Sequence, residues 1–93
     1  SKESYFNYLK NNNLSGVNFG ELQNMVSEVI LLKQRYQSDS TDYRTANAIA
    51  ASYLKFANAD AAQLYVNRSY HLKPGNQGAM ALQEEIKKIK SEK

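Results

Sequence analysis

Cysteine is absent from the 93 residues, which excludes disulfide stapling, cysteine-based zinc sites and thiol catalysis. The compartment stays open, because reducing and oxidising locations both tolerate such a chain. One proline and four glycines supply too little turn punctuation for a sandwich of short strands and suit helices better. No apolar run approaches the length that spans a bilayer, and the opening Ser1-Lys2-Glu3 carries no signal-like apolar segment. A start on serine, without methionine, suggests an excised piece of a longer protein or a processed form. No glycine-rich loop for cradling phosphate is present. The one histidine, His71, has no carboxylate or hydroxyl at the spacing of a catalytic base, and a helix end offers it carbonyls instead. Asp39 and Asp42 lack the central glycine and closing glutamate of a Ca²⁺ loop and lie in a run, Ser38 to Asp42, suited to helix capping. No cofactor, metal or small-molecule substrate is therefore expected, and the chain reads as non-enzymatic.

What is present fits a single all-α domain over residues 1–93. A short helix is predicted over 4–10, where Phe6 and Leu9 are one turn apart, and Asn11-Asn12-Asn13 ends it. Leu22, Met25, Val26, Val29, Ile30, Leu32 and Tyr36 then mark a long helix over 19–37, a rod of roughly 25 Å. Leu31 widens its stripe, so coverage on two sides is expected, one by the next helix and the other by the N-terminal segment or a partner. Helices over 42–56 and 60–72 follow, joined by a tight turn at Asn58 to Asp60. Ala46, Ile49, Ala50 and Tyr53 form the inner stripe of the first. Ala62, Val66, Ser69, Tyr70 and Leu72 form that of the second, and small faces meeting describe an antiparallel hairpin. After Pro74-Gly75 a last helix over 77–90 carries a seam of Ala79, Leu82, Ile86 and Ile89, with Glu84 one turn before Lys88.

The net charge of +3 is concentrated near the C-terminus, where Lys87, Lys88, Lys90 and Lys93 outnumber Glu84, Glu85 and Glu92. That tail has no Arg or aromatic readers, so nucleic acid is not expected as a partner. Salt-sensitive binding to an acidic surface is the alternative it leaves.

The segment from Tyr43 to Asn76 resembles the tetratricopeptide repeat, a unit of about 34 residues with aromatic, alanine and proline landmarks. Ile49, Ala50 and Tyr53 match its first helix, and Ala62, Val66, Ser69, Leu72 and Pro74 match its second helix and closing turn. Ala46 stands where tryptophan is common, Ala57 where glycine is common, and Ser69 where alanine is usual. The resemblance covers about a third of the chain and rests on the set of spacings. It implies a right-handed superhelical stack of about five helices, with 77–90 as the terminal cap. A degenerate preceding repeat, interrupted by a loop at Asn11 to Asn18, would make the long helix its second helix.

In that family the binding groove is lined by the first helix of each hairpin, which implies a scaffold or adaptor that holds a peptide or helix of another protein. Transferred to this chain, the outward positions are Arg44, Asn47, Ala48, Ser52 and Lys55. The packing positions are Ala46, Ile49, Ala50, Tyr53, Ala62, Val66, Ser69, Leu72 and Pro74. One repeat is a small core, so a homo-oligomer or a structural subunit, assembled through the apolar helix 19–37, is the second expectation.

Overall fold

The structure is a computed structural model, and it describes residues 19–91. The helix expected over 4–10 and the terminal Lys93 lie outside the described residues. Those residues form four α-helices and no strand: α1 Phe19–Ser38, α2 Tyr43–Lys55, α3 Ala59–Leu72 and α4 Gln77–Ser91. The described part is thus all-α with four helices, where the sequence had suggested about five in the whole chain.

Capping chemistry sets where each helix begins. Asp42 is the N-cap of α2, its carboxylate accepting from the amides of Arg44 at 3.0 Å and Thr45 at 3.4 Å. The buried Thr45 hydroxyl also donates to it, at 2.9 Å. These bonds, the Thr45 hydroxyl foremost, hold the Asp42 pKa below the ordinary carboxylate value. The carboxylate form is therefore favoured by folding. Its contribution is fully present above the unfolded pKa near 3.9 and is lost as pH falls through the folded one. Asp42→Asn keeps an acceptor without the titration, so the melting temperature of the wild type is expected to fall more steeply than that of the variant between about pH 7 and about pH 3. Parallel curves from thermal unfolding followed by circular dichroism would remove the cap from the acid sensitivity.

The connection between α2 and α3 sits earlier than the sequence suggests. Phe56 and Ala57 donate to the carbonyls of Tyr53 and Leu54, and Asn58 caps α3 by accepting from the Ala61 amide at 3.2 Å. The turn is thus 56–58, and α3 already begins at Ala59. Ala57 takes the left-handed conformation, φ 52°, which an L side chain seldom adopts.

Alanines bring the helices together. Ala46, Ile49, Ala50, Ala62 and Val66 are completely buried along the α2–α3 contact, and the Tyr53 and Tyr65 rings stack at 6.0 Å. On the other side of α2 lies α1, with Leu22, Val26 and Val29 buried. Its opposite face is open among the described residues, since Ile30 is 43% and Leu31 65% exposed. The second cover expected for this helix, the N-terminal segment or a partner, lies outside the described residues. The last helix, α4, packs on both α2 and α3 through Ala79 and Ile86, with Leu82 and Ile89 at the edge. Glu84 pairs with Lys87, three residues on, at 3.5 Å, so the expected partnership with Lys88 is taken by its neighbour.

Candidate functional site

The turn into α4 fixes the geometry of the surface that the sequence singled out. Gly75 has φ +75°, which a glycine adopts without strain. Asn76 follows and turns inward to 8% exposure. Its Oδ1 caps α4 by accepting from the Ala79 amide at 2.9 Å, and it also accepts from Asn47 Nδ2 at 3.0 Å. Its Nδ2 donates to the Lys73 carbonyl at 2.8 Å and to the Ser69 hydroxyl at 3.0 Å. One amide side chain therefore ties α2, α3 and α4 together. Pro74 is exposed and acts through its fixed backbone, not as a packing residue, while Leu72 is only half-buried. The remaining packing positions, including Ser69, are buried as expected.

Of the expected outward residues, Arg44 and Lys55 are exposed, and Asn47 and Ala48 are half-buried. Ser52 is corrected: it is 3% exposed and belongs to the core. Its helix touches α1, α3 and α4, so the buried arc of α2 is wider than the stripe of Ala46, Ile49, Ala50 and Tyr53. The half-buried Ala51, which the sequence reading missed, stands on the outward row instead. Arg44, Ala48, Ala51 and Lys55 follow one another at three- and four-residue steps, with Asn47 beside Ala48, spanning about 16 Å of helix.

Both ends of this row are electrostatically engaged. The Arg44 guanidinium lies 5.7 Å from the Tyr43 ring and Lys73 Nζ lies 5.1 Å from the same ring. Hydrogen bonding by Arg44, then Lys73, lowers the Tyr43 pKa from its usual value, and the same Arg44–Tyr43 bond raises that of Arg44. At the far end Lys55 pairs with Glu28 of α1 at 3.7 Å, both half in water, an arrangement of small energetic weight. Between them, Asn47 Oδ1 is buried without a hydrogen-bond partner among the described residues.

The α4 side of the row is Gly78. A Cβ there would stand 2.7 Å from Asn47 Nδ2, so a larger residue requires the Asn47 amide, bonded to Asn76, to move. Gly78→Ala is expected to cost about 1 kcal/mol despite the better helix propensity of alanine, and to become neutral or stabilising once Asn47 is also alanine. A four-variant cycle by chemical denaturation reads this directly; the same sign in both backgrounds would separate Gly78 from Asn47.

A second concave region lies between α1 and α3. Its polar half, about 480 Å³, is lined by Lys33, Tyr36, Gln37, Ser40, Tyr65 and Arg68. Its apolar half, about 380 Å³, shares Tyr36, Ser40 and Arg68 and adds Leu64, Asn67, His71 and Leu72. Tyr36 had been read as part of the apolar rhythm of its helix, and no sequence signal placed it beside Tyr65. The sole histidine is exposed at the end of α3, on the rim of this cleft. Among the described residues no group of three His, Asp or Glu side chains is gathered in a way that would hold a metal, and no helix is long and apolar enough to cross a membrane. In the C-terminal basic stretch, Lys87 and Lys90 are paired with Glu84 and Asp60 at 3.5 Å and 3.6 Å.

The chain matches no protein-family model, no curated protein and no solved structure. Its functional reading therefore rests on its own residues.

Proposed function

We propose that this chain is a non-catalytic protein-interaction module, a tetratricopeptide-like helical stack that holds a peptide or helix of a partner protein against α2 and α4. The observation that carries the reading is the outward row of α2, in which the small half-buried Ala48 and Ala51 lie between two exposed cations, beside the Gly78 face of α4. An extended segment lying there meets a shallow floor of Ala48 and Ala51 and donors at Arg44 and Lys55. The hairpin α2–α3 plays the repeat, α1 the second helix of a degenerate predecessor, and α4 the cap that presents its charged side to water.

The test is a partner captured from the native source, identified, purified and titrated. Arg44→Ala/Lys55→Ala is expected to weaken it about tenfold or more without lowering the melting temperature. Unchanged affinity would place the binding surface elsewhere.

The exposed Ile30 and Leu31 favour a second reading, in which α1 is covered by another copy or a dedicated subunit and the protein is structural. A sedimentation mass that rises with concentration, and falls back in Leu31→Glu, supports it; a monomer at high concentration removes it.

A further inference from the structure

We infer that the α1–α3 cleft is a second binding surface, distinct from the α2 row, and that it takes an acidic peptide segment carrying an apolar side chain. Its lining holds two cations, Lys33 and Arg68, and no carboxylate. Neither cation has an ion pair or hydrogen bond among the described residues, whereas Lys55, Lys87 and Lys90 each have a carboxylate within 4 Å. The two are instead held by rings. Lys33 Nζ lies 5.2 Å from the Tyr53 centroid, and the Arg68 guanidinium lies 4.9 Å from Tyr65 and 5.9 Å from Tyr36. Tyr65 in turn stacks on Tyr53 and meets Tyr36 edge-on at 5.9 Å, so the rings form one continuous bed.

A guanidinium held near ring faces, with no carboxylate or hydrogen bond among the described residues, keeps its N–H donors for a ligand, and two of them can receive a carboxylate through parallel bonds. The two rings restrict that arginine before a ligand arrives, which lowers its ordering cost. Next to it, the other half of the cleft offers Leu64, which is 49% exposed, together with Leu72. Carboxylates on Lys33 and Arg68 with an aliphatic group over Leu64 and Leu72 match both halves at once.

The experiment uses the full chain labelled with ¹⁵N and a capped pentapeptide of four glutamates around a central leucine. Shifts are expected to concentrate on Lys33, Tyr36, Leu64, Tyr65 and Arg68 and to weaken with added salt. Arg68→Gln is expected to weaken binding at least about tenfold, and Arg68→Lys about threefold, because charge without the planar fork is retained. Lys33→Gln, on the opposite wall, gives an independent arm if the Arg68 variants lose stability. Equal shifts with the glutamine version of the peptide would overturn the proposal, as would shifts centred on Lys87, Lys88 and Lys90. A short single-stranded oligonucleotide that occupies the same cleft more tightly would overturn it in favour of nucleic acid. Because the Arg44 and Lys55 row is not among the cleft residues, failure on either surface leaves the other untouched.

Discussion

Phe56→Ala is expected to lower the unfolding free energy by about 3 to 5 kcal/mol, the usual range for emptying a buried phenylalanine site. Phe56 is 2% exposed and is the bulkiest of the fully buried side chains. It is also the C-cap of α2, its amide donating to the Tyr53 carbonyl at 3.0 Å, so the ring closes the end of the hairpin where α2 passes into α3. The left-handed Ala57 follows at once and fixes the backbone there, which limits how far the chain can relax into the void. Domains are stable by only about 5 to 15 kcal/mol, and small ones sit at the low end. A fall in melting temperature of at least roughly 15 °C is therefore expected. Leu64→Ala, at a half-exposed site, serves as the control, with a change of about 1 kcal/mol or less. Similar losses for the two variants would mean that the hairpin end is not the packed centre described above.

The second large effect is expected at Asn76. Asn76→Ala removes the cap of α4 and leaves the Asn47 amide and the Ser69 hydroxyl without a partner, at a cost of about 2 to 3 kcal/mol. Asn76→Asp is the sharper variant, since it has the same shape. It keeps the acceptor toward Ala79 and Asn47 but turns a second oxygen toward the carbonyls of Lys73 and Ser69, where Nδ2 now donates at 2.8 Å and 3.4 Å. The aspartate is expected to be no more stable than the alanine above about pH 6, and to recover part of the loss in acid, where its carboxyl carries a proton. Hydrogen exchange should show the amides of α4 losing protection first. An aspartate variant as stable as the wild type at neutral pH would mean that the three-helix joint does not depend on the Asn76 amide nitrogen.

The hairpin was legible because its signal is local. Alanines at three- and four-residue steps state both the helical period and the closeness of the partner, and Ala46, Ala50 and Ala62 are buried accordingly. Ser52 was misplaced because periodicity shows the centre of a buried arc and not its width, which three neighbouring helices set. The turn 56–58 was read two residues late, since Asn58 and Asp60 are both plausible caps and only the former is used. The inward amide of Asn76 could not be read at all: its partners Asn47 and Ser69 lie 29 and 7 residues away. The same holds for the bed of Tyr36, Tyr53, Tyr65 and Arg68, which exists only once α1 and α3 are side by side.

The alanines carry one more consequence. Ala46, Ala50, Ala62 and Ala79 have no accessible surface left, and a larger side chain at any of them must push two helix axes apart. Nor can they shrink freely, since glycine weakens the helix that holds them. These four alanines thereby act as the fixed gauge of the helix spacing.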